Sequence, residues 1–232
     1  LHGQQYSLVR QLLLDLAPPP APSLDNFAPG ENAEVVAALR AWSSGQLSEP
    51  CLYLWGPPGC GKTHLLTGLV IAAQARGAPT KLVAAAAVSA DQQVDAAWVA
   101  VDDVHALSSA GQAVLFTLLN RAAQGDLRLA LAGETAPAGL QLREDVRTRV
   151  GAGLVFQLHP LSDEDKAQAL RAHAASRGFD LPADAAGYLL RHGRRDLRWL
   201  MTVLDALDRY SLQTRRAITL PLLREVLAAR QD

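Results

Sequence analysis

Apolar residues fall along the chain in two kinds of run. Continuous runs at "CLYLW" (51–55), "TKLVAAA" (80–86), "WVAVDDV" (98–104), "LRLALAG" (127–133) and "GLVFQLHP" (153–160) have the length and content of buried parallel strands. Between them the apolar residues recur at helical spacing. One such stretch covers roughly 32–43, led in by "APGEN" and ended by Ser-Ser-Gly. A second runs from a glycine-rich loop through about Arg76, a third from near Ser109 to Gly125, and a short arginine-bearing helix precedes the last strand. Strands alternating with helices predict an α/β fold, a parallel sheet sandwiched by helices. From Ser162 the strand pattern stops. Helical stretches at roughly 163–176, 183–191, 195–211 and 219–230 predict a small all-α C-terminal domain. The expected organisation is therefore a peptide and proline-rich linker over 1–23, an α/β core over 24–161 and a helical domain over 162–232.

Composition narrows this only slightly. The chain has 232 residues, 49% hydrophobic and 19% charged, enough for one sizeable core with a smaller domain beside it. A formal net charge of -1 gives no overall signal for a nucleic-acid or membrane binder. The C-terminal residues from 141 hold 15 Lys and Arg against 12 Asp and Glu, interspersed as on solvated helix faces. Cys51 and Cys60 form no CxxC pair, and His105, His159, His173 and His192 have no metal or triad spacing. A zinc site and a disulfide framework are not expected, and a reducing cytoplasm is the simplest compartment. No apolar run approaches the ~20 residues of a transmembrane helix, so no membrane association is expected.

The chemistry is concentrated in two motifs. "GPPGCGKT" (Gly56, Pro57, Pro58, Gly59, Cys60, Gly61, Lys62, Thr63) satisfies G-x-x-x-x-G-K-[ST], with His64 adjoining it. Its glycines let backbone N–H groups turn inward around phosphate oxygens, and the helix that follows adds its positive end. Lys62 would reach the β- and γ-phosphates, and Thr63 would ligate Mg²⁺. The motif follows an expected strand and opens an expected helix, which separates it from a plain glycine turn. "WVAVDDVH" supplies Asp102 for Mg²⁺ and Asp103 to orient attacking water; the plainer reading has the two carboxylates capping the next helix. The expected cofactors are ATP or ADP with Mg²⁺.

Weaker signals lie downstream. Glu134, in "GETAP" after the fourth strand, is placed as a γ-phosphate sensor or as a surface turn. Arg143, Arg147 and Arg149 recur within one helical segment, where Arg149 is either an arginine finger directed at a neighbour's nucleotide or part of an exposed, ion-paired face. Arg198, in "RRDLRWL", could fold over phosphates of its own subunit. Arg194 and Arg195 read as facing solvent or a partner.

These motifs, with "LDNFAPGEN" before the first strand and "RTRVGAGLVFQL", resemble the DnaA-related AAA+ ATPases from about Leu24 to Ala229. The resemblance implies an AAA+ core with a helical lid and a base pocket shaped by Phe27 to Asn32. It makes Arg149 the arginine finger and Arg198 the second sensor. Glu134 departs from the family's usual Asn, Ser or Asp, which puts efficient self-hydrolysis in doubt. The chain ends at Asp232, soon after "ITLPLLREVLAARQ", where DnaA itself continues into a helix-turn-helix domain. "QLLLDL" (Gln11, Leu12, Leu14, Asp15 and Leu16 among them) resembles the peptides that dock on the β subunit sliding clamp of DNA polymerase. Its leucines offer anchors for a groove, and "APPPAP" offers a polyproline II spacer, although a terminal segment packed on its own domain has the same composition. "PLSDEDKAQALRAHAASRGFDLP" resembles the regulatory inactivators of DnaA. The expectation is a clamp-tethered regulator that stimulates hydrolysis of DnaA-bound ATP and so limits replication initiation, possible as a homo-oligomer and contacting DNA mainly through the clamp. The alternative is an autonomous AAA+ ATPase or a helicase-loader-like replication factor.

Overall fold

A computed structural model describes residues 20–88, 94–193, 196–214 and 219–228. Ala21–Pro160 forms one compact unit, and the residues from Leu161 onward belong to a second.

The first unit is built on five parallel strands in the order β2-β3-β4-β1-β5. They are β1 (Cys51–Trp55), β2 (Thr80–Ala84), β3 (Trp98–Asp102), β4 (Arg128–Gly133) and β5 (Leu154–Gln157). The helices are α1 (Ala33–Ser43), α2 (Lys62–Ala75), α3 (Ser109–Ala123) and α4 (Glu144–Gly151). Strand alternation assigns the two cores. On β1, Leu52 and Leu54 pack with Leu39 and Trp42 of α1 and Leu65, Leu66 and Leu69 of α2. Cys51 and Tyr53 point the other way, to Leu115, Leu118 and Leu119 of α3 and Val146 and Val150 of α4. On β4, Leu129 and Leu131 join the second core while Ala130 and Ala132 join the first. Side chains buried on both faces are why these strands read as continuous apolar runs.

Several boundaries differ from the sequence expectation. β2 ends at Ala84 rather than 86 because its one partner among the described residues, β3, ends opposite it at Asp102; the alanines after it form a 3-10 turn over Ala85–Ala87. β5 covers Leu154–Gln157 rather than 153–160. Its only neighbour is β1, and the register ends at Trp55 against Gln157. Arg143 precedes α4 instead of lying within it.

The second unit holds α5 (Asp163–Ser176), α6 (Ala183–His192), α7 (Leu197–Thr214) and α8 (Leu220–Ala228). α5 starts on a capping box. The Ser162 hydroxyl accepts from the Asp165 N–H at 3.0 Å, and the Asp165 carboxylate accepts from the Ser162 N–H at 3.2 Å. α7 begins at Leu197 and runs to Thr214, three residues beyond the expected end. Leu170, Leu189, Leu200, Leu204, Leu207 and Leu223 form its core. Asp205 of α7 receives both His173 Nε2, at 2.6 Å, and Arg177 Nη2, at 2.9 Å, which ties α5 to α7.

Candidate functional site

The carboxyl ends of the parallel strands carry the polar cluster, as expected where loops and helix N-termini converge. The loop from Gly56 to Gly61 leaves β1 and enters α2 at Lys62. Gly61 has φ 98°, and a Cβ there would lie 2.5 Å from Phe27 Cε2, so both the conformation and the packing require glycine. Phe27 also lies 5.5 Å, ring centroid to centroid, from His64, whose Nε2 is 3.0 Å from the Ser23 carbonyl. The segment before α1 is thereby pinned to the loop and to the start of α2.

Lys62 is buried. Its Nζ donates to the carbonyls of Gly56, at 2.8 Å, and Pro57, at 3.1 Å, with Cys60 Sγ at 3.9 Å. Burial pushes the Cys60 thiol pKa up, and the neighbouring Lys62 charge opposes that shift. Thr63 Oγ1 donates to Asp102 Oδ2 at 2.6 Å, joining the loop motif to the end of β3 across 39 residues of sequence. The other oxygen of Asp102 accepts from the Asp103 N–H at 3.0 Å. Asp103 is exposed and holds φ 55° and ψ 44°, the left-handed region that non-glycine residues rarely occupy. Such backbone outliers concentrate at functional sites.

Glu134 follows β4 directly and is exposed, with Oε1 3.8 Å from His105 Nε2. Tyr53 donates its hydroxyl to the Thr135 carbonyl at 2.6 Å and so fixes the turn that carries Glu134. Burial raises the Tyr53 pKa, which keeps that donor protonated. His105 and Tyr53 could not be assigned a part from the sequence, because neither pairing is local. Asn32 is buried and its amide is committed at both ends: Nδ2 donates to the His159 carbonyl at 2.8 Å and Oδ1 accepts from the His159 N–H at 2.7 Å. These bonds hold the segment before α1 against the chain after β5.

Arg149 stands elsewhere. It shares a cavity with Pro50, Cys51 and Gly153, residues at the amino ends of β1 and β5. The loop motif begins beyond Trp55, at the far end of β1, and four strand steps at ~3.3 Å put roughly 13 Å of strand between the two. The Arg149 guanidinium lies 5.0 Å from the Phe116 ring centroid, and Arg143 lies 5.8 Å from the same ring. Arg143 pairs with Asp145 at 2.6 Å, whereas Arg149 has no carboxylate partner among the described residues. Arg198 is half-buried in the first turn of α7, its N–H donating to Asp196 Oδ1 at 3.1 Å. Gln11, Leu12, Leu14, Asp15 and Leu16 lie outside the described residues, as do Arg194 and Arg195. Among the described residues no cluster of His, Cys, Asp and Glu could hold a metal by itself, and no helix is long and apolar enough to cross a membrane.

Residues 163–227 match the family model described as "Hda, lid domain". Among solved structures, domain III of the replication initiation protein DnaA from Thermotoga maritima matches with TM-score 0.67 at 20% identity, over 91% of this chain and 98% of that one. AMPPCP-bound DnaA from Aquifex aeolicus matches with TM-score 0.67 at 21% identity, over 84% of this chain and 70% of that one. A RuvB mutant from Thermotoga maritima matches with TM-score 0.62 at 19% identity, over 92% of this chain and 72% of that one. The chain therefore has the fold of these DnaA and RuvB structures, and its C-terminal residues 163–227 are similar to an Hda lid domain.

Proposed function

We propose that this protein is a nucleotide-binding regulator of DnaA that uses Arg149 on the ATP of its partner. The observation that carries the reading is the placement of Arg149, whose guanidinium has no carboxylate partner among the described residues and lies at the amino edge of the sheet, away from its own phosphate loop. An arginine so placed serves a nucleotide held by another chain, where it stabilises charge developing on the transferred phosphoryl group. The lid match to Hda and the likeness to DnaA supply the partner class.

In its own loop the chain binds ATP or ADP. Backbone N–H groups of Gly59 to Thr63 cradle the phosphates, and Lys62 exchanges its loop carbonyls for phosphate oxygens. Thr63 and Asp102 offer hard oxygen ligands already 2.6 Å apart, a donor set that fits Mg²⁺. The ion would neutralise phosphate charge. Phe27 packs beside the base, Asn32 holds that segment in place, and Arg198 serves as the second sensor. Asp103 orients water, and Glu134 stands at the sensor position in place of the usual Asn, Ser or Asp. Gln11 to Leu16 dock on the sliding clamp, so DNA is met chiefly through the clamp in the cytoplasm.

The deciding experiment measures hydrolysis of DnaA-bound ATP with and without DNA-loaded clamp and this protein. Stimulation that requires both supports the reading, and its absence refutes it. Gln11→Ala combined with Leu12→Ala should abolish retention on the clamp; unchanged retention refutes the docking role. The contact between Thr63 and Asp102 favours a second reading, an ATPase whose own turnover is the activity. Rapid turnover by the purified chain alone would establish that instead.

A further inference from the structure

Beside Arg149 the first unit has an open cavity of about 170 Å³ whose walls are mainly apolar. Leu119 and Ala123 of α3, Ala152 and Gly153 before β5, and Pro50 before β1 form much of its surface. Ala123, Ala152 and Gly153 leave the space open by carrying little or no side chain. A void of about 150 Å³ accommodates one benzene-sized group, so this one takes a single aliphatic or aromatic side chain, and a nucleotide or a folded peptide segment is too large. Two charged residues, Glu49 and Arg149, also line it. Arg149 has no carboxylate partner among the described residues, and its own phosphate loop lies at the opposite edge of the sheet. The molecule that fills the cavity therefore also brings the anion.

We propose that this cavity seats one apolar side chain of the nucleotide-bearing protein on which Arg149 acts, and thereby sets the register of the guanidinium over that partner's phosphates. The inference rests on the trans-acting reading above and adds the anchor that reading lacks. The matching surface presents an apolar side chain, a basic residue beside it for Glu49, and a phosphate within reach of Arg149. A buried anchor flanked by charged contacts is the arrangement that concentrates binding energy in few residues. The guanidinium alone gives no lateral register, because an exposed cation attracts phosphate from many directions.

The test fills the cavity without touching Arg149. Ala123 and Ala152 are both exposed, and Ala152 has helical backbone angles, so leucine is accommodated at either position. Hydrolysis of DnaA-bound ATP is measured against DnaA concentration for Ala123→Leu, Ala152→Leu and Arg149→Ala, with nucleotide affinity of the protein's own loop as the folding control. The filled variants should raise the apparent KM for ATP-bound DnaA about tenfold to a hundredfold, the value of one buried aliphatic side chain. Their kcat and own nucleotide affinity should hold, and Ala152→Gly should behave as the parent. Arg149→Ala should instead lower kcat. If Arg149→Ala lowers kcat while both filled variants keep the parental KM, the cavity proposal is overturned and the trans-acting reading survives. If Arg149→Ala has no effect, both fall. Filled variants that lose only self-association identify a second copy as the occupant and overturn the proposal as well.

Discussion

The two edges of the sheet hold their charged groups in opposite ways. At the carboxyl edge every group of the phosphate-loop cluster is occupied: Lys62 by loop carbonyls, Thr63 by Asp102, and Asp102 by Thr63 and the Asp103 N–H. At the amino edge Arg149 rests on an aromatic ring, without a carboxylate among the described residues, next to an apolar space. A buried lysine needs its acceptors, because an unpaired buried charge is costly. An exposed arginine over a ring gives up little and stays available, since a cation–π contact at such a site is worth only about 0.5–1 kcal/mol. The first edge is a site already assembled within the chain. On the proposed reading the second is half of a site, completed by the nucleotide of another chain.

The most severe way to separate the edges is to remove each cation in turn. Arg149→Ala should return hydrolysis of DnaA-bound ATP to its unstimulated rate, since an arginine finger is worth on the order of 10³-fold or more. Binding of nucleotide to the variant's own loop should match the parent. Lys62→Ala should do the reverse at the loop, weakening nucleotide affinity by about a hundredfold as a charge-assisted contact is lost, in an equilibrium titration with labelled nucleotide. If Lys62→Ala left that affinity intact, or Arg149→Ala lowered it, the division between the edges would be wrong. A smaller effect separates pocket shape from chemistry. Asn32→Ala removes both bonds to the His159 backbone and leaves that backbone partly unsatisfied, which should cost about 2–3 kcal/mol of stability. Chemical denaturation of the parent and the variant reads it directly, and equal midpoints would show that the clamp holds nothing.

The carboxyl edge was largely legible in the sequence because its parts are local. The loop motif is contiguous, its glycines report the backbone they need, and an apolar run ending in Asp102 and Asp103 announces a strand end. Helix α5 was legible to the residue, since Ser162 and Asp165 cap it within four positions. The amino edge was not legible. Arg149 could be named as a candidate, but its distance from its own loop follows from β5 pairing in parallel with β1, a contact across about a hundred residues. The same limit hid the Asn32 clamp on His159 and the Tyr53 bond that fixes the Glu134 turn. Strand ends were overestimated wherever apolar residues outlast the partner strand. The left-handed Asp103 could not be read from the sequence, since aspartate visits that region more readily than most residues yet at few of its positions.

The smallest predicted effect sharpens the comparison by titration, because each edge has its own buried thiol. Cys51 lines the cavity, and burial with nothing opposing it raises its pKa from 9.0 to about 12. Cys60 sits in the loop, where the Lys62 charge works against burial. A thiol whose folded pKa is raised contributes stability that is complete below the unfolded value. Above pH 9 the unfolded chain gains by ionising and the folded chain does not, so stability is lost as pH rises from about 9 toward 12. A single such group gives a slope near 1.4 kcal/mol per pH unit. Cys51→Ala should therefore flatten the alkaline limb of the stability curve, and Cys60→Ala should flatten it less. The buried Tyr53 hydroxyl adds to the same limb from about pH 10, so Tyr53→Phe serves as the reference for a group that faces the same core. Denaturation midpoints at pH 8, 9 and 10 measure all three. An alkaline limb dominated by Cys60 would mean that Lys62 does not offset the burial of that thiol. The loop would then be looser than its bonded geometry requires, and the contrast between a finished edge and a half-built one would fail at the finished edge.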